Sequence, residues 1–240
     1  MKTIAIITAR GGSKRIHKKN IVPVGQQPLL AWSVDAALSS GVCDRVLVST
    51  DDASIGEIAR EAGADVPFLR ENASDDEATA SEACLAALAQ AEAHWGEKYD
   101  NVILMMPTCP LRTGEQVANQ FKRFSDERLP FLLSCADFGP MKPWWAFTMD
   151  TQGAGDYLHP DALKTRSQLL DKLYAPSGAT WIARVDDLRH AGSFYGPEHR
   201  FHPISWISAI DIDEPADIEL VELLFSDPAT MKRIGLKNLQ

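Results

Sequence analysis

Two short runs near opposite ends of the chain carry the residue types that could do chemistry. From Arg10 to Asn20 the sequence reads RGGSKRIHKKN, which gathers Arg10, Lys14, Arg15, Lys18 and Lys19 with no acid among them. They are five of the 24 Lys and Arg in a chain of formal net charge −9, so positive charge is concentrated here rather than spread. Basic runs are often no more than a solvated face. Position favours a bound anion. The run follows a short β-branched segment, Thr3 to Thr8, and the pair Gly11-Gly12 lets backbone amides approach a phosphate at the carboxyl end of a strand. At about 4 Å and an effective dielectric near 20, each cation gains on the order of 4 kcal/mol of Coulomb attraction before desolvation. Several together would grip a polyphosphate. The sequence has no GxxxxGK[ST], and no GxGxxG follows the first apolar run, so P-loop ATPases and dinucleotide dehydrogenases lose ground.

The second run is Ile210-Asp211-Ile212-Asp213-Glu214-Pro215. Read as the end of a strand, it turns Asp211 and Asp213 to one side and the isoleucines to the other. Two hard oxygen ligands so placed suit Mg²⁺, which takes one or two protein carboxylates and completes its shell with phosphates and water. Without a cation the two carboxylates would repel, and one would tend to protonate. The plainer reading of Asp213 is an N-cap for the helix that follows. The six histidines form no HExxH-type cluster, and Cys43, Cys84, Cys109 and Cys135 are widely scattered. Neither zinc chemistry nor a disulfide framework is therefore expected, and the cysteines read as reduced, mostly buried thiols.

The elements that must position these runs follow from periodicity. Thr3–Thr8, Arg45–Ser49, Val66–Leu69, Asn101–Met106 and Phe131–Cys135 read as strands; Pro28–Ser40, Ser54–Ala62, Ala78–Ala93 and Gly114–Arg128 read as helices. Strands and helices alternating on short connectors predict an α/β fold with a Rossmann-like, mostly parallel sheet flanked by helices. Residues 180–185 and 204–212 return as extended segments, and 215–225 as a final helix with Pro215 in its first turn. With 240 residues, 45% of them hydrophobic, the chain can bury one large core, here read as a single domain over 1–240. The stretch from Phe138 to about Tyr174, with Trp144, Trp145 and several prolines and glycines, reads as an insertion. Its aromatics point either to a dimerisation segment or to a small core folded onto its own sheet. The acidic balance argues against nucleic acid as a partner. No apolar stretch suits a signal peptide or a membrane span, so a cytoplasmic protein is expected.

Five motifs, ARGGSKRIHKKN at 9–20, VSTDD at 48–52, PTCPLR at 107–112, RSQ at 166–168 and DID at 211–213, resemble the acylneuraminate cytidylyltransferases, or CMP-sialic acid synthetases. The resemblance runs from Ile4 to about Leu224. It implies a homodimeric transferase that joins CTP to a nine-carbon 2-keto sugar acid with Mg²⁺ and releases pyrophosphate. Carried over residue by residue, it assigns Arg10, Lys14, Lys19 and Asn20 to the nucleotide, with the Gly11-Gly12-Ser13 backbone along the phosphates. Arg70 and Arg112 fall, more loosely, at positions that resemble nucleotide contacts. Arg166 would meet the sugar-acid carboxylate, whose geometry an arginine fork matches; Gln168 and Trp181 would line the sugar pocket. Asp211 and Asp213 would hold Mg²⁺, with Arg166, Asp211 and Lys19 carrying the chemistry. The chain also departs from the family. Met106 stands where glutamine is usual, Cys109 where serine is, Trp181 where tyrosine is, and Arg15 replaces a common glycine. Sialic, legionaminic and pseudaminic acids all stay open as substrates. The rival readings are a transferase acting on Kdo or another sugar, and a catalytically silent nucleotide-binding subunit.

Overall fold

The computed structural model describes residues 1–71 and 78–233. Its frame is a six-stranded sheet of β1 (Thr3–Thr8), β4 (Arg45–Ser49), β5 (Asn101–Met105), β6 (Phe131–Asp137), β9 (Tyr174–Arg184) and β10 (Arg200–Pro203). The strands lie in the order β10-β6-β9-β5-β1-β4. β9 alone runs antiparallel, between β5 and β6. Two small hairpins complete the strands: β2 (Pro23–Val24) with β3 (Gln27–Pro28), and β7 (Phe147–Met149) with β8 (Gly155–Tyr157). The helices are α1 (Leu29–Ser40), α2 (Ala53–Glu61), α3 (Ala80–Trp95), α4 (Gly114–Asp126), α5 (Val185–Ala191), α6 (Pro215–Ser226) and α7 (Pro228–Arg233).

The alternation of side chains along each strand divides the interior in two. Ala5, Ile7, Val46, Val48, Ile103, Met105 and Ile182 pack with apolar residues of α1, α2 and α4. Their neighbours in sequence, Ile4, Ile6, Leu47, Val102, Leu104, Trp181 and Ala183, pack on the opposite face with α3 and α5. Strands buried on both faces read as continuous apolar runs, which is how β1, β4 and β5 appear in the sequence.

A third cluster sits beside the sheet and does the positioning. Ile16, from the basic run, meets Ile212, from the acidic run, with Val24, Leu29, Leu111 and Val221 around them. α6 is fastened nearby by Phe225 stacked on Trp32 at 4.6 Å. Residues 204–212 depart from the expectation of a strand. The edge strand β10 ends at Pro203, and turns carry the chain on to the aspartates. Residues 66–69 are not a strand either; only an isolated bridge, Asp65 to Leu47, joins that segment to β4. The short helices α5 and α7 were not anticipated, because neither offers enough turns for a clear 3.6-residue period.

Between β6 and β9 lies the insertion, built of the β7–β8 hairpin and three short 3₁₀ turns, Pro143–Trp145, Pro160–Lys164 and Ser167–Leu169. Its large apolar side chains are mostly exposed, Met149 at 67% and Leu158 at 60% among them, so it has little core of its own. Among the described residues no helix is long and apolar enough to cross a membrane.

Candidate active site

A cavity of about 530 Å³ opens at the carboxyl ends of β1 and β5. That is where ligands bind in open α/β sheets. Arg10, Ser13, Lys14, Arg15, Lys19 and Asn20 line it, facing Arg70 and the Met106-Pro107-Thr108 run that leaves β5. The loop carrying the cations is held at both ends. The buried Asn20 side-chain amide donates to the Arg10 carbonyl at 2.8 Å, and the Gly11 amide donates to Asp51 Oδ1 at 2.8 Å. Asp52, beside it, caps α2 by accepting from the backbone amides of Ser54 and Ile55. A Cβ on Gly11 would sit 3.0 Å from both Asp52 Cβ and Oδ2, so a side chain there would crowd the Asp52 cap.

The acidic run lies against this loop. Lys19 Nζ donates to the Ile212 carbonyl and to Asp213 Oδ1, both at 2.9 Å, and Arg15 meets Asp213 at 2.8 Å. The Ile212 amide donates to the Thr108 carbonyl at 2.9 Å, tying the segment to the loop after β5. The aspartates therefore flank a buried isoleucine, as alternation predicts, but on an extended segment outside the sheet. Asp213 is not the helix cap. Glu214 is, in a reciprocal box with Asp217, whose carboxylate also accepts from the Asp213 amide.

The two carboxyls are set apart electrically. Asp211 keeps surface open to solvent, yet the dense protein around it raises its pKa; the Thr108 hydroxyl opposes that and the charge of Asp213 adds to it. Partial burial also pushes Asp213 up, but Lys19 and Arg15 outweigh it and hold the group below its ordinary value. Asp211 and Asp213 are hard oxygen donors of the kind a divalent cation takes, and a cation bound there would share Asp213 with Lys19 and Arg15. Among the described residues no three His, Cys, Asp or Glu side chains gather, so a cation here would take at most these two carboxylates and complete its shell from phosphates and water. That is the habit of Mg²⁺.

Other predicted residues fall elsewhere. Arg70 lines the cavity but is buried, donates to the Ser49 carbonyl, and has its Nε enclosed without a partner among the described residues. Burial lowers its pKa, Asp51 acts against that, and Arg10 adds to it. Gly11 and Gly12 are not among the lining residues, and the Gly11 amide is already engaged. Arg112 does not reach the cavity. Fully buried, it donates to the Met106 and Ala179 carbonyls and to Ser33 Oγ, and burial depresses its pKa to about 10. Trp181 does not line the cavity either. Strand parity puts it on the α3–α5 face, its indole N–H on the Ser177 carbonyl at 2.7 Å and its ring against Phe194 and Tyr195. Arg166 and Gln168 are exposed on the insertion and do not line this chain's cavity. Asp51 and Thr108 were not singled out from the sequence, although both lie inside motifs that carried the resemblance.

A cationic loop lining a cavity at the carboxyl end of a mostly parallel sheet, tied through Lys19 and Arg15 to Asp213, defines a nucleotide-handling enzyme of Rossmann-like fold, although neither Asp211 nor Asp213 itself lines that cavity. The cytidylyltransferase family model matches residues 4–137. A pseudaminic acid cytidylyltransferase of Campylobacter jejuni (serotype O:23/36, strain 81-176) is 31% identical over 94% of this chain and 97% of its own. The CMP-N,N'-diacetyllegionaminic acid synthase of Legionella pneumophila is 30% identical over 93% and 96%. In fold the chain is similar to a CMP:2-keto-3-deoxy-manno-octonic acid synthetase solved with CTP, at a TM-score of 0.69 and 18% identity over 94% of this chain and 99% of that one. The chain belongs to the cytidylyltransferase family and is a nucleotidyltransferase.

Proposed function

We propose that this enzyme joins CTP to a nine-carbon 2-keto sugar acid of the sialic, legionaminic or pseudaminic type, giving the CMP-sugar and pyrophosphate. The observation that carries the reading is the junction at Lys19, which binds both the Ile212 carbonyl and Asp213 at the cavity rim. It ties the basic loop to Asp213, which supports reading the loop and the acidic pair as parts of one reaction centre. The names of two relatives that align over nearly their whole length supply the substrate class.

In this reading the anomeric 2-hydroxyl of the sugar attacks the α-phosphorus of CTP and gives its proton to a carboxylate, the bond from the α-phosphorus to the bridging oxygen breaks, and pyrophosphate leaves with that oxygen. Arg10, Lys14 and Lys19 neutralise the charge that builds on the leaving group, and their fixed positions save reorganisation at that moment. Asp211 and Asp213 would hold Mg²⁺, which when bound supplies charge stabilisation at the phosphate oxygens. Arg70, on the cavity wall, adds positive charge beside the nucleotide. Arg166 and Gln168 act on the sugar acid across a homodimer contact made by the insertion, a role consistent with their exposure and their distance from the cavity of their own chain.

Incubation with CTP, Mg²⁺ and a panel of nonulosonic acids, read by the mass of the nucleotide sugar, is expected to give a CMP-sugar from at least one member. Asp211→Asn should fold normally by circular dichroism and lose turnover by on the order of 100-fold or more. No CMP-sugar from any acid refutes the reading, and near-normal turnover in the variant refutes the metal assignment.

A further inference from the structure

Arg15 stands between two anionic destinations. Its guanidinium meets Asp213 at 2.8 Å and Glu214 at 3.3 Å, and the same residue lines the cavity beside Ser13, Lys14 and Lys19. Its neighbour Ile16 is buried in the third cluster with Ile212, so the backbone under Arg15 is fixed while its side chain stays 55% exposed. Lys19 is held differently. Its side chain is 16% exposed, and its ammonium is bound by the Ile212 carbonyl as well as by Asp213, both at 2.9 Å. Of these two cations on Asp213 Oδ1, Arg15 is the one free to swing away.

The two acids that hold Arg15 are themselves about half exposed, and ion pairs in such surroundings contribute little. A polyphosphate in the cavity offers more, with several negative charges and paired oxygens that match the guanidinium fork. Moving to it takes Arg15 off Asp213. That carboxylate is then left with Lys19 and with an oxygen to spare for a divalent cation, which fills its shell from carboxylates, phosphates and water.

We infer that Arg15 is a further nucleotide-binding residue, one that exchanges Asp213 for the β- and γ-phosphates of CTP and so opens the acidic pair to the cation as the nucleotide arrives. The inference rests on the function proposed above, in which the basic loop carries the leaving pyrophosphate.

Two binding measurements read the exchange separately. Titration with Mn²⁺ in the absence of nucleotide, followed by the electron paramagnetic resonance of the free ion, should show Arg15→Gln binding the metal about threefold to fivefold more tightly than the unaltered enzyme. Calorimetry in excess EDTA should show the same variant binding CTP about fivefold to tenfold more weakly, with the Kd for CMP changed by less than about twofold. Damage to the loop would weaken both ligands, so the opposite signs identify the exchange. In an Asp213→Asn background the gain in Mn²⁺ affinity should disappear. Lys18→Gln removes an equal charge from an exposed residue of the same loop that does not line the cavity, and should shift neither affinity by more than about twofold. A Mn²⁺ affinity unchanged or weakened in Arg15→Gln, a gain that persists with Asp213→Asn, an unchanged affinity for CTP, a loss shared by CMP, or equal shifts in Lys18→Gln overturns the inference while CMP-sugar is still made. Absence of CTP binding by the unaltered enzyme overturns the functional reading and this inference with it.

Discussion

Arg112 shows how a single residue can be legible in type and misleading in role. The PTCPLR motif marks it as a cation near a nucleotide, but burial turns it into an internal brace. It donates to acceptors on α1, on the loop after β5 and on β9, with no carboxylate among the described residues as its hydrogen-bond partner. Replacing it by leucine leaves two backbone carbonyls and a hydroxyl without their donor, at about 1–3 kcal/mol for each buried group left unsatisfied, partly offset by relief from burying a charge. Urea denaturation of Arg112→Leu should show a loss of about 2–4 kcal/mol, and a loss under about 1 kcal/mol would mean the brace is dispensable. The basic run is the opposite case. Arg10, Ser13, Lys14, Lys19 and Asn20 all reach the cavity, because a dense cluster of cations directly after a strand has few places to go. What the run does not disclose is that the Gly11 amide is held by Asp51, a residue forty positions away.

Elements were legible where their periods were long. β1 and β4 lie at their expected limits, while β5 and helices α1 to α4 agree within one or two residues. α5 was missed, yet one buried acid makes it consequential. Glu92 of α3, only 6% exposed, accepts from Arg189 of α5 at 2.5 Å and from Lys98 at 2.8 Å. Burial pushes its carboxyl up, but the bonds and charges of Lys98 and Arg189 together hold it below the ordinary value. A carboxyl depressed in the folded state stabilises the fold above its unfolded pKa and loses that contribution as pH falls through the folded value. Glu92→Gln should therefore cost about 1–2 kcal/mol at neutral pH. The gap to the unaltered protein should stay constant down to about pH 5 and close below about pH 4. Denaturant titrations across that range check it, and a gap that widens with acid would contradict the assignment. The strand β9 carries the matching lesson for Trp181. Sequence placed an aromatic residue on an extended segment, but only the pairing with β5 and β6 decided which face it took.

For the molecule as a whole, the proposed homodimer rests on the insertion. Phe147, Met149, Leu158 and Leu169 stand at least half exposed, an apolar surface of the kind that marks an interface. Sedimentation should give twice the 26.4 kDa of one chain, and the pair Phe147→Glu and Leu158→Glu should yield a folded monomer with activity lowered by on the order of tenfold or more. An unaltered chain that sediments as a monomer and turns over normally would remove the dimer and the role across it for Arg166. The sequence by itself determined the α/β alternation, the strand cores and the two chemical runs, because hydrophobic period and charge clustering act over a few neighbouring residues. Only the tertiary structure decided that Lys19 meets Asp213, 194 positions away, and that Arg112 and Trp181 turn inward. Those outcomes depend on the packing of Ile16 on Ile212 and on strand parity across the sheet. Both are settled by the sum of many distant contacts that no local pattern encodes.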